Sequence, residues 1–156
     1  MKLNLAKSAA AAAAVALFLA APLSAQADLP GKHPGFLHAL TDLRSARWLI
    51  SHRQGDAVVS NHEDAAIQKI VAAISDIQRD AVSDGKALED HPAADAPASR
   101  ADRLKRAQDL LRAAHRDVNA EEDNPKAILL KKVALNNIDE ATKDLDAAIW
   151  DATHGK

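Results

Sequence analysis

The spacing of apolar residues constrains the fold of this chain more than any other feature of its sequence. In four stretches apolar residues recur three and four positions apart, which places them along one face of an α-helix, and no segment has the alternation of a strand. Start and stop signals bound these stretches, among them Ser60 with Glu63, Gly85, and Asn124 before Pro125. The sequence therefore predicts an all-α fold with helices over about 34–54, 60–84, 99–122 and 125–152.

An internal repeat relates the two halves of the chain. A shift of 68 residues, without a gap, superposes the first predicted helix on the third and the second on the fourth. Chance agreement between Ala-rich amphipathic helices is the alternative to a duplication. With short links inside each half, we predict an antiparallel up-down-up-down four-helix bundle made of two duplicated helical hairpins. The identical pairs are Ala39 and Ala107, Leu43 and Leu111, Arg44 and Arg112, Ala46 and Ala114, Ala66 and Ala134, Ile70 and Ile138, Ala73 and Ala141, and Asp76 and Asp144.

The N-terminus has the order of a secretory signal peptide. Lys2 and Lys7 precede an unbroken apolar run from Ala9 to Ala21, and Pro22 and the tripeptide Ala25-Gln26-Ala27 follow it. The run has 13 residues, whereas a helix needs about 20 to cross the hydrocarbon core. We therefore predict a signal peptide over 1–27 and a mature domain over 28–156 that is periplasmic or secreted and has no transmembrane segment. An uncleaved signal anchor is the alternative.

Composition narrows the possible functions. The chain has no Cys, which removes disulfides, thiolate catalysis and covalent haem attachment. Acidic residues outnumber basic ones, 22 to 20, and both N-terminal lysines are predicted to leave with the signal peptide. The mature chain therefore lacks the excess of basic residues that is typical of nucleic-acid-binding proteins. No GxSxG, HExxH or P-loop pattern occurs. We therefore expect neither an enzyme nor a nucleic-acid-binding protein.

Histidines concentrate where the predicted topology brings several segments together. His33 and His38 open the first helix, and Asp90 and His91 lie in the long link before the third. In an up-down-up-down bundle that link returns to the end where the first helix starts. Imidazole and carboxylate ligands suit Zn, Cu or Ni. These four residues are therefore the predicted metal ligands, and solvated surface histidines are the alternative.

Charged residues also fall on the predicted apolar faces. Arg47, Glu63, Glu122 and Lys131 form a charge-balanced set of two cations and two carboxylates. Buried charges persist only when paired, so we expect a mutual structural polar layer, with a buried metal or proton-handling site as the alternative. The only support for catalysis is that His115 could point inward beside Glu122.

Several segments resemble exported α-helical proteins of bacteria that have no established activity. They are 33–40, which reads HPGFLHAL, then 42–44, 46–47 and 121–125, which reads EEDNP. There is a looser similarity to small periplasmic metal-binding helical bundles, which carry histidines densely along their helices. The resemblance covers nearly the whole mature chain, and it implies a helical fold and export.

Two hypotheses of function follow. The first is an exported, non-enzymatic helical bundle that binds a divalent transition metal at its histidine-bearing end. The second is a periplasmic interaction or envelope-associated module that docks on a partner protein, in which the histidines are incidental.

Overall fold

The predicted helices are present as four α-helices. The computed structural model describes residues 33–52, 60–80, 82, 84–121 and 128–155. Helix α1 spans Pro34–Ser51, α2 spans Asn61–Asp80, α3 spans Arg100–Ala120 and α4 spans Ile128–His154. The all-α four-helix bundle is thus confirmed. The predicted signal peptide over 1–27, Glu122 and the predicted cap at Asn124-Pro125 lie outside the described residues.

Each helix packs against two others. The neighbouring pairs are α1 with α3, α2 with α4, α3 with α4, and α1 with α2. In the described residues the backbones of α1 and α4, and those of α2 and α3, do not approach each other closely, so these two pairs lie across the diagonals of the bundle. No helix in the described ranges is both long enough and apolar enough to span a bilayer.

Helix directions differ from the predicted up-down-up-down order. The start of α1 meets the end of α3, where the Gly35 amide donates to Glu121 at 2.8 Å. The first turns of α2 and α3 meet at the other end, where Arg100 binds Glu63 at 2.7 Å. The order is therefore up-down-down-up, and all neighbouring pairs are antiparallel. We call the end with the starts of α1 and α4 and the ends of α2 and α3 the basal end, and the opposite end the apical end.

The link between α2 and α3 crosses the bundle from the basal to the apical end. This crossover, of which the structure describes residues 82 and 84–99, follows α1 towards the apical end: Asp84 binds Arg44, Glu89 binds Arg47, and the ring of His91 lies against Trp48. An extended chain of this length can reach about 60 Å, far more than the roughly 27 Å length of α1. A link of this length permits either topology, so the sequence pattern left the direction of α3 open.

The core agrees with the internal repeat. Nine apolar pairs related by the 68-residue shift are fully buried on both members. Helices related by a two-fold axis across the bundle run antiparallel, as α1 and α3 do, so the packing is that expected of two duplicated hairpins. The buried pairs are Phe36 and Leu104, Ala39 and Ala107, Leu43 and Leu111, Ala46 and Ala114, Ile50 and Val118, Ala66 and Ala134, Ile70 and Ile138, Ala73 and Ala141, and Ile77 and Leu145.

Candidate functional site

The start of α1 is held by a carboxylate from the end of α3. His33 has a left-handed backbone, with φ of 65°, and its Nδ1 lies 3.1 Å from Oε1 of Glu121. The other oxygen of Glu121 accepts the Gly35 amide, one of the donors that a helix start leaves without an intrahelical partner. A Cβ on Gly35 would lie 2.5 Å from this oxygen and 2.6 Å from the carbonyl oxygen of Asp117. The start of α1 and the end of α3 are therefore in close contact here.

The four predicted metal ligands do not share a site. His33 and His38 lie on the first turns of α1, at the basal end. The ring of His91 lies against Trp48, with centroids 4.6 Å apart and planes tilted by 33°, and Asp90 accepts the Ala87 amide within the crossover. Fifteen residues of α1 separate His33 from Trp48, which is about 22 Å along a helix. In the described ranges no three His, Asp or Glu side chains are placed to hold one metal ion. The predicted convergence of His33 and His91 was wrong because the crossover passes to the apical end.

The predicted polar layer is not a single cluster either. Arg47 binds the exposed Glu89 of the crossover, Glu63 binds Arg100, and Lys131 donates to the backbone carbonyl of Glu121. The three described members therefore have separate partners at different levels of the bundle. His115, predicted at the edge of the third helix, lies 3.4 Å from Asp139 of α4 in a partly exposed pair.

Sequence reasoning missed a deeply buried ion pair. Arg44 donates to both carboxylate oxygens of Asp84, at 2.6 and 2.8 Å, and both side chains are almost fully buried. Burial alone would raise the pKa of Asp84, but hydrogen bonds from Arg44, the Lys86 amide and Gln78, with the charge of Arg44, lower it below its ordinary value. This pair fastens the crossover to the middle of α1.

A second titratable group lies between α1 and α3. Asp42 is half-buried and accepts no hydrogen bond from any residue that the structure describes. Burial, reinforced by the negative charge of Asp117, raises the pKa of the Asp42 carboxyl to about 6, although His38 and Arg116 act in the opposite direction. This carboxylate changes charge near neutral pH.

The first turns of α4 carry more apolar residues than its buried stripe requires. Leu130, Ala134 and Ile138 fill the core, whereas Leu129 is 72% exposed and Val133 is 41% exposed. Each precedes a buried residue by one position, and a helix turns about 100° per residue, so both point to the outside. Ile128, which is 52% exposed, extends the same surface to the start of the helix. We call Ile128, Leu129, Lys132 and Val133 the α4 patch.

An open groove of about 480 Å³ adjoins the α4 patch, between the end of α3 and the start of α4. Leu135 and Ile128 are among its apolar lining residues, and Lys131 and Lys132 are its basic lining residues. The first turn of α4 contains no acidic residue, unlike the first turns of α2 and α3. The positive charges of lysines near the N-terminus of a helix interact unfavourably with the positive end of the helix dipole. The complete lining is Asn119, Ile128, Lys131, Lys132, Leu135, Asn136 and Asp139.

Comparisons with family models, with curated proteins and with solved structures give no match. The chemistry available at the basal end is therefore the basis for assigning a role. The α4 patch and its groove offer apolar surface with cationic flanks, which suits binding. The Asp42 carboxyl offers a proton site near neutral pH.

Proposed function

We propose that the protein is an exported, non-enzymatic interaction module that docks on a partner protein through the α4 patch. The observation that carries this proposal is the exposure of Leu129, at 72%, beside Ile128 and Val133. Burying an aliphatic side chain fully is worth roughly 1.5–3 kcal/mol. The isolated bundle gains little of this from Leu129 and only part of it from Ile128 and Val133. Export is part of the proposal, supported by the Ala9–Ala21 run and the small residues before Asp28.

The groove beside the α4 patch indicates the chemistry of the partner. A volume of about 480 Å³ accommodates a few side chains. Lys131 and Lys132 border it, and the acid that lines it, Asp139, lies within 3.4 Å of His115. A segment with apolar anchors and nearby carboxylates, such as one face of an amphipathic helix, complements this surface. We therefore propose that the partner protein binds the α4 patch through such a segment.

The geometry supports this proposal better than transition-metal binding. The metal hypothesis depended on His33, His38, Asp90 and His91 meeting at one end, and the crossover separates them. The α4 patch, in contrast, lies on one continuous helix face within two turns.

Photo-crosslinking in the envelope of a Gram-negative host tests the proposal. A photoreactive residue replaces Leu129, and the matched control carries it at Lys105, which is exposed near the apical end of α3. We expect one protein adduct from position 129 and none from position 105. Val133→Asp and Lys132→Glu should each reduce the adduct at least tenfold, whereas Lys105→Glu should leave it unchanged. No adduct at position 129, a lipid adduct, or an adduct insensitive to Val133→Asp overturns the proposal.

A further inference from the structure

The outer face of α4 carries a regular stripe that extends beyond the α4 patch. Its positions recur at alternating steps of three and four residues, the spacing of helices that pack along a shared seam. Leu129, four positions before the stripe, and His154, four positions after it, continue the same spacing. We call the stripe the α4 seam. Its members are Val133, Asn136, Glu140, Lys143, Ala147 and Trp150.

The α4 seam faces away from the rest of its own bundle. Because α4 packs on α2 and α3 and lies diagonally opposite α1, it forms a corner of the bundle. Beside the seam, Asn137 donates to Asp76 of α2 at 3.0 Å, and Asp139 lies beside His115 of α3. Within the seam Trp150 is 48% exposed. A second bundle can therefore approach α4 along its whole length without meeting α2 or α3 first.

Two α4 seams that run in opposite directions place unlike residues face to face. At one end Val133 lies opposite Trp150 of the second copy, and Leu129 lies opposite His154, whose ring stacks on Trp150 with centroids 4.5 Å apart. Both pairs are centred on the same point, midway along α4. A two-fold axis through that point repeats every contact at the other end. Each aliphatic cluster at the basal end of α4 is therefore matched by an aromatic cluster at its apical end.

The centre of the α4 seam is charged, and its charges favour one direction. Glu140 and Lys143 are ion-paired along the helix at 2.7 Å, and Lys143 is 70% exposed. In the antiparallel arrangement each Lys143 also faces Glu140 of the second copy, so four charges of alternating sign surround the axis. A parallel arrangement would bring glutamate against glutamate and lysine against lysine, which is unfavourable. The central charges therefore favour the antiparallel register, as a polar residue in a helical seam does.

We propose that the partner docked on the α4 patch is a second copy of this chain, and that two bundles pair through antiparallel α4 seams. The proposal rests on the docking role of the α4 patch. That surface complements an amphipathic segment with apolar anchors and nearby carboxylates. The apical half of α4 is such a segment, because it presents Ala147 and Trp150 beside Asp144 and Asp151.

The contact between the two seams is long but narrow. Helix α4 has 27 residues, so it is about 40 Å long and, with its side chains, about 10 Å wide. A strip of this size covers roughly 400 Å² on each copy, about half of the roughly 800 Å² per partner in a standard interface. We therefore expect a reversible dimer that forms at micromolar concentrations. Dilute purified protein is then monomeric, and its Leu129 is accessible.

Sedimentation of the mature protein at increasing concentration tests the dimer. We expect mostly monomer at about 1 micromolar and mostly dimer at about 500 micromolar. Lys143→Glu and Glu140→Lys should each weaken the dimer at least tenfold, because like charges then meet at the axis. The matched control, Arg112→Glu, alters an exposed ion pair of the same spacing on α3 and should leave the dimer unchanged.

Mixing the two charge variants separates pairing from any loss of folding. In a mixed dimer of Lys143→Glu with Glu140→Lys, every glutamate of one copy faces a lysine of the other. The mixture should therefore dimerise at least tenfold more tightly than either variant alone. A variant that had failed to fold could not be rescued in this way.

Disulfide formation checks the register, since the chain has no Cys of its own. Asn136 lies opposite Ala147 of the second copy, whereas the two Asn136 residues of a dimer are separated by about 16 Å along the helix. A disulfide requires Cα atoms within about 7 Å of each other. A mixture of Asn136→Cys and Ala147→Cys should therefore cross-link at least tenfold faster than either variant alone.

Three results overturn the dimer: a monomer at every concentration, equal weakening by Lys143→Glu and Arg112→Glu, or cross-linking of Asn136→Cys alone that is as fast as in the mixture. The photo-crosslink at position 129 judges docking separately. An adduct of two mature chains supports the second copy. An adduct with a different protein overturns the dimer but leaves docking through the α4 patch standing, whereas the absence of any adduct overturns both.

Discussion

Removing the carboxylate of Asp84 should destabilise the fold more than changing any surface charge. Arg44 is fully buried and donates to both oxygens of Asp84, which is itself only 7% exposed. Asp84→Ala leaves a guanidinium in the interior without its carboxylate, although the Lys86 carbonyl remains as a weaker acceptor at 3.3 Å. Breaking such a buried pair costs about 3–5 kcal/mol. For a domain of this size that corresponds to a fall in Tm of roughly 10–20 °C.

Urea unfolding followed by circular dichroism measures this cost, and a double-mutant cycle separates the pair from the rest of the site. Arg44→Met with Asp84→Ala removes both charges, so we expect the double variant to be more stable than Asp84→Ala alone. The reasoning is refuted if Asp84→Ala costs less than about 1 kcal/mol, the usual value for an exposed pair. That result would show that water or another acceptor reaches the guanidinium.

Three further predictions follow from other contacts. If Arg47 belonged to a buried polar layer, Arg47→Met would be severely destabilising. We instead expect it to cost about 1 kcal/mol or less, because the carboxylate partner of Arg47 is 74% exposed; a loss above 3 kcal/mol in urea unfolding contradicts this. Gly35→Ala should cost about 1–3 kcal/mol, since its Cβ would crowd a backbone carbonyl 2.6 Å away, and an unchanged Tm argues against the close approach. In calorimetric titrations with Zn, Cu and Ni, His33→Ala and His91→Ala should not abolish the same binding event, because about 22 Å of helix separates the two rings.

The helices were predictable because their signals are local. The stripe of α4, for example, places Ala134, Ile138 and Leu145 at successive spacings of four and seven positions, and all three are fully buried. The repeat likewise relates buried positions of α1 to buried positions of α3, such as Leu43 and Leu111. The direction of α3 was not predictable, since it depends on the path of the crossover. That path is fixed by contacts such as Arg44 with Asp84, which are 40 residues apart and leave no periodic pattern.

The candidate sites also differ in whether they depend on local sequence signals or on the topology of the bundle. The convergence of His33 with His91 failed because it depended on the topology. The repeat could not reveal the buried role of Arg44 either, because its counterpart, Arg112, is exposed in a pair within α3. The α4 patch did leave a local signal: Leu129 and Val133 stand beside the buried stripe as apolar residues in excess of what one helix face needs.

Cysteine accessibility in intact cells tests the central claim, that the α4 patch is covered by a partner, most directly. The chain has no Cys of its own, so Leu129→Cys introduces the only thiol, and Lys105→Cys provides the matched control. The rate of maleimide labelling in the intact envelope is compared with the rate in the purified protein. Docking predicts at least fivefold slower labelling of Leu129→Cys in the envelope, with equal rates for Lys105→Cys. Equal rates at both positions would contradict docking through the α4 patch.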